Sequence, residues 1–189
     1  MDIGQGAGLS GASGVRPFLP ALLAGALARQ DTGLDFDGTD FSFLESPWFM
    51  LAVFALAVAA YLLQRRGSSA LLERAMLALG LVLGALLFAG SLADTGHAAW
   101  PGIIGGVACA ALGYFALAAL FARARRRISD SGGAIALLDA YADGIALALA
   151  GLSILFPPLA FVALAAFLVL ILRSRGESAQ KYEGLRSLR

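Results

Sequence analysis

The chain has 189 residues, 59% of them hydrophobic and 14% charged, with a net charge of +1 and a mean hydropathy of +0.80. Soluble domains carry about 45–50% apolar and about 25% charged residues, and a fold of this size in water has too much surface to hide so many apolar side chains. The composition excludes an ordinary soluble domain and predicts an all-α, polytopic membrane helix bundle with the lipid bilayer as its solvent. The apolar runs are continuous Ala/Leu/Gly/Val without alternation, which argues against a β-barrel.

A helix crossing about 30 Å of hydrocarbon needs roughly 20 mainly apolar residues. The first such segment, 5–28, opens with Gly4, Gly6, Gly8, Gly11 and Gly14 and continues Val15-Arg16-Pro17-Phe18-Leu19-Pro20. Ala26-Leu27-Ala28 has the small-x-small form of a signal-peptide cleavage site. The only charge near the start is Asp2, though, and Arg16 interrupts the apolar core, so the segment reads as retained. Gly8, Gly11 and Gly14 form a smooth helix-packing face. Pro17 has no backbone donor and disfavours helical geometry before it, so a broken first helix is predicted, with a half-helix N-terminus beside Arg16. Dipole, free N–H groups and guanidinium together suit an anion, with Ser13, Arg16 and Pro17 as its contacts. Against this stands a plain ion pair, or an Arg16 that snorkels to the interface.

The acidic stretch 31–46 (DTGLDFDGTDFSFLES) follows. Asp35, Asp37 and Asp40 lack the spacing and terminal Glu of an EF-hand loop, so a solvated cap with its phenylalanines at the interface is expected, and no metal. Further spans are read at 47–64, 70–93, 98–121, 133–156 and 157–173, the last two divided by Pro157-Pro158. Glu73 and Arg74 open the third span as interfacial residues. Cys109, the only cysteine, sits in an apolar run as a small hydrophobe, and His97, the only histidine, has no metal-ligating companion. Asp139 and Asp143, four residues apart, share one face of the fifth span, with Tyr141 between them. Acidic groups at such depth face a bundle interior or wet cavity and serve coupling, or else neutralise an arginine. No nucleotide loop, nucleophile elbow or HExxH is present, so no catalytic residue and no cofactor is expected, and the chain reads as no enzyme.

Connections alternate in charge. Arg65, Arg66 and Arg74, then Arg123, Arg125, Arg126 and Arg127, then Arg173, Arg175, Lys181, Arg186 and Arg189 mark one side. Asp31, Asp35, Asp37, Asp40 and Glu45, then Asp94 and His97, mark the other, with Arg29 the lone exception. The positive-inside rule places six transmembrane helices in the inner (cytoplasmic) membrane, with the N- and C-termini cytoplasmic. It also accounts for the Arg123–Arg127 cluster without nucleic acid. The chain divides into one transmembrane domain, 1–173, and a basic tail, 174–189. A shift of 94 positions lays Gly8 on Gly102, Gly11 on Gly105, Arg29 on Arg123 and Leu44 on Leu138. That faint match suggests an inverted 3+3 repeat (3–94 and 98–173), a common plan of secondary transporters.

The run Gly8–Arg29 (GLSGASGVRPFLPALLAGALAR) resembles the start of the bacterial membrane family catalogued as domain of unknown function 4126. The likeness continues through Pro101–Ala111 (PGIIGGVACAA), the acidic span around Asp139–Asp143 and the tail near Leu185–Arg189. Residues 68–94 depart from that family's Asp/Lys/Pro-rich stretch. The resemblance implies membrane residence. A looser likeness of architecture links the chain to small polyprenyl-phosphate lipid transporters.

Two functional readings follow. One is a small transporter of an anionic solute or lipid phosphate headgroup, with Arg16 binding and Asp139, Tyr141 and Asp143 lining or coupling. The other is a non-transporting structural or assembly subunit that meets a membrane-complex partner, or a second copy in a homo-oligomer, through its glycine face.

Overall fold

In a computed structural model of the chain, residues 2–66, 70–125 and 132–186 are described. Arg126, Arg127 and Arg189, read above as topology signals, lie outside them. The described residues form α-helices and one 3-10 turn, without strands: α1 (Asp2–Val15), α2 (Phe18–Ala28), the turn Ser42–Glu45, α3 (Pro47–Arg66), α4 (Ala70–Asp94), α5 (Trp100–Arg125), α6 (Gly132–Leu155) and α7 (Pro157–Arg186).

Helices are what these sequences allow in oil, because a backbone in lipid must satisfy its own polar groups. Among the described residues four helices are long and apolar enough to span: Pro47–Arg65, Ala70–Asp94, Trp100–Phe121 and Leu137–Leu155. The apolar part of α7, Pro157–Arg173, is a little shorter. The spans expected from 47 onward agree with these within a few residues, and α7 continues as helix into the basic tail.

The first segment departs from expectation. It does break at Arg16–Pro17, but it does not carry the chain across. The side chain of Gln5 donates to the carbonyl oxygen of Gly33 at 2.5 Å, across 28 positions of chain. A straight helix would hold those residues about 42 Å apart. So α1 and α2 run antiparallel as a helical hairpin, of 14 and 11 residues. Each arm, about 17–21 Å long, is too short to span alone. The start of α1 lies beside the α6–α7 turn, where a Cβ on Gly4 would come within 2.5 Å of the Pro157 carbonyl oxygen. The expectation of two termini at one end of the bundle is thereby corrected. The chain begins at the end that holds the acidic connections, and α7 runs to the opposite one. Hairpin and crossing bury the same apolar residues, so hydropathy could not separate them.

α1 is the hub. Residues 4–15 are all buried, enclosed by α4, α5, α6 and α7. Small side chains permit the approach: a Cβ at Gly14 would collide with the Ala110 carbonyl, and one at Gly113 with the Gly11 carbonyl. Ser10 Oγ crosses the same α1–α5 interface, donating to the Gly106 carbonyl at 2.5 Å. Gly8 faces Ser153 and Ala160, and Gly11 faces Leu164. Gly8, Gly11 and Gly14, expected as a helix-packing face, thus pack against helices of the same chain. A helix made of small residues buries backbone best when neighbours surround it.

At the acidic end, Leu34, Phe36 and Leu44 are buried and plug the hairpin's open side. Glu45 accepts the Phe36 N–H at 2.5 Å, and a Cβ on Gly90 would come within 2.9 Å of the Phe36 ring. α3 stands apart. It packs on α2 and the Ser42–Glu45 turn, touches α4 lightly, and leaves most of its apolar surface outward.

Candidate functional site at the hairpin tip

The tip is built by the sequence Arg16-Pro17-Phe18-Leu19-Pro20. Arg16 still donates its N–H to the Ala12 carbonyl at 2.9 Å, as the last residue of the α1 ladder. Pro17 cannot continue that ladder and becomes the N-cap of α2, with φ −60° and ψ −43° and no side-chain cap. Pro20 removes another donor from the first turn, so Phe18 and Leu19 carry the first N–H groups of α2.

The arginine does not stay free. Its Nη2 lies 2.8 Å from Asp139 Oδ1 and donates as well to the Asp139 carbonyl oxygen at 3.1 Å. Its Nε is 2.7 Å from Asp143 Oδ1, but the N–H is not aimed along that contact and has no hydrogen-bond acceptor. Asp139 therefore holds Arg16 by charge and by direction, and Asp143 by charge alone. The side chain of Arg16 is 21% exposed, against 50% and 47% for the two aspartates. The carboxylates are the more accessible members. One cation and two anions make a formal charge of −1, partly offset by the positive end of the α2 dipole.

Two open chambers flank the tip. The first, about 560 Å³, lies between α3 and α6, with Phe18 and Leu19 beside Arg16 and Pro17, Ala60, Tyr61, Gln64 and Arg65 from α3, Met76 from α4, and Asp139, Ala140 and Asp143 from α6. The second, about 480 Å³, lies toward α4 and α5 and is lined by Glu73, Tyr114 and Phe121 among others. Arg16, Pro17, Gln64, Met76 and Asp139 line both. The guanidinium carbon of Arg65 lies 5.2 Å from the centre of the Tyr61 ring, and both residues line the first chamber.

Of the residues singled out from sequence, Arg16, Pro17, Asp139 and Asp143 converge here. Tyr141 does not: it is 71% exposed on the outer face of α6, since a residue midway between two inward positions on a helix points away from both. Ser13 lines neither chamber; its hydroxyl is buried and donates to the Leu9 carbonyl at 3.0 Å. Gly8, Gly11 and Gly14 shape the hub instead. Sequence reasoning missed Tyr61, Gln64 and Arg65, because polar residues toward the end of a span read equally well as interface anchors, and Met76, because an apolar residue within a span reads as lipid-facing or packed. Glu73, expected only at the interface, belongs to the second chamber. Far from the tip, Asp35, Asp37 and Glu45 place carboxylate oxygens within 4.8 Å of one another, while Asp40 does not join them. Two of these carboxylates are engaged with the backbone N–H groups of Asp37 and Phe36.

No curated protein and no solved structure matches the chain. The family model described as Domain of unknown function (DUF4126) matches residues 3–176, nearly the whole chain, and the protein belongs to that family.

Proposed function

We propose that the protein is a small membrane transporter of an anion, a free solute or a lipid phosphate headgroup, which takes up protons as the anion binds. The observation that carries this reading is the position of Arg16. It sits at the tip of a helical hairpin, in a chamber of ligand size that the first turn of α2 also lines, and between two half-exposed carboxylates. Hairpin tips with a dipole end in a cavity are a recurrent way to hold a charged substrate at membrane depth.

The pairing sets the mechanism. An anion reaching Arg16 competes with Asp139 and Asp143, and a site already at −1 repels it. Protonation of Asp143, the partner held without a directed hydrogen bond, frees one side of the guanidinium and removes the repulsion. Asp139 keeps the arginine in place meanwhile. Binding and proton uptake are then linked, each favouring the other. By the positive-inside rule, the end carrying Arg65, Arg74 and Arg173 faces the cytoplasm, so the chambers open inward while Phe36 and Leu44 close the opposite side. The bacterial inner membrane is the location that fits.

The test uses the protein in nanodiscs of zwitterionic lipid, with inorganic phosphate and dodecyl phosphate as probes. Addition of either in weak buffer is expected to raise the pH of the medium as protons are taken up. Arg16→Gln leaves two carboxylates facing each other and risks misfolding, so the charge-balanced variant Arg16→Gln with Asp143→Asn is the sharper comparison. It should fold and bind neither probe. Undiminished binding there ends the anion reading.

A reading as a structural subunit keeps one foothold, the outward apolar face of α3. It expects a stable partner after gentle extraction and indifference to changes at Arg16.

A further inference from the structure

The first chamber is walled by α3 on one side and α6 on the other, and these two helices share no packed face. α3 rests on α2 and the Ser42–Glu45 turn, and α6 packs on α1, α2 and α7. Among the described residues no packed contact joins α3 to α6, an arrangement that would leave the bilayer to close that side of the chamber. The two edges of the gap are Tyr61, 55% exposed, and Ala140, also exposed. Inside, the wall is split by chemistry. Phe18, Leu19 and Met76 make it apolar, while Arg16 at the tip and Arg65 in the last turn of α3 place positive charge along it.

A water-soluble anion has no use for an apolar wall or an opening into lipid. An amphiphile has use for both. We propose that the substrate is an anionic amphiphile that enters sideways, from the leaflet at the basic end, through the gap between α3 and α6. Its acidic head meets Arg65 at headgroup level and then Arg16, while its chain stays between Tyr61 and Ala140 in contact with the bilayer. The head thus reaches the interior without dragging the chain out of oil, which avoids the cost of wetting its methylenes. This inference rests on the anion reading above and narrows it to a lipid-borne source.

The shared chemistry of the two possible sources is a phosphate-like head, and the experiment separates them. Radiolabelled dodecyl phosphate and radiolabelled inorganic phosphate are bound to the protein in nanodiscs, with empty nanodiscs subtracted. Ala140→Trp fills the gap from the α6 side, and Gly144→Trp, at an exposed position one turn along the same helix with open space around it, obstructs it there. The two variants guard against one of them failing to fold. Each is expected to weaken dodecyl phosphate by about tenfold and to leave inorganic phosphate unchanged. If both probes weaken equally, or neither does, the lateral route is wrong while the anion reading stands. If the Arg16→Gln, Asp143→Asn variant binds dodecyl phosphate as tightly as wild type, or if wild type binds neither probe, the anion reading falls and takes this inference with it.

Discussion

Asp139 and Asp143 look equivalent as letters, but the geometry divides their work. Asp139 offers both a carboxylate and a backbone oxygen to the same guanidinium nitrogen. Removing its side chain as Asp139→Ala should cost about 1–3 kcal/mol, between the limits for exposed and buried ion pairs, read as thermal unfolding in detergent. Asp143→Ala should cost less, since it gives up a contact without hydrogen-bond geometry, yet Asp143→Asn should lose the proton uptake that accompanies anion binding. Equal effects of the two on stability and on protons would contradict the division. Tyr141→Ala, on the outer face, should change neither anion binding nor proton uptake.

At the scale of elements, the α1–α5 contact is the tightest constraint. Backbone oxygens stand where the Cβ atoms of Gly14 and Gly113 would be, and a carbonyl in a helix cannot swing aside as a side chain does. Gly14→Val or Gly113→Val should therefore exceed the usual overpacking cost of about 1–3 kcal/mol and deplete folded protein on gel filtration. The plug behaves differently. Phe36→Ala leaves a cavity under the hairpin, with an expected loss of about 3–5 kcal/mol and α1 still in place. A fall in melting temperature with the gel-filtration profile preserved is the signature to look for. The glycine spacing was legible as a close-packing face, and so was the break at Arg16–Pro17. Which partner the glycines serve was not, because spacing along one helix says nothing about whether the neighbour belongs to the same chain.

For the whole molecule, the consequence of the hairpin is that the start of α1 and the end of α7 lie at opposite ends of the bundle. In a Cys109→Ala background, single cysteines at Gln30, Thr95 and an added N-terminal residue should react with a membrane-impermeant thiol reagent from one side. A cysteine at Gln64 should react from the other. Labelling of the N-terminal residue together with position 64 would restore a six-crossing arrangement. The later spans were readable from sequence because their lengths match the bilayer and their flanks carry the arginines and aspartates that anchor them. The first segment met the same test of length and hydropathy and still turned back.

The sequence by itself determined the solvent, the helices and the place of the break, since these follow from local composition: apolar runs need oil, backbone in oil needs helices, and proline cannot donate. It also named the chemistry of the tip, one arginine and two aspartates. What only the tertiary structure decided is the direction the chain takes after Pro17 and what gathers around Arg16. Those outcomes depend on contacts between Gln5 and Gly33, 28 positions apart, and between Arg16 and Asp139, 123 positions apart. A proline specifies that a helix stops, and the bend that follows is chosen by whichever distant surfaces can bury the next turn and neutralise the charge beside it.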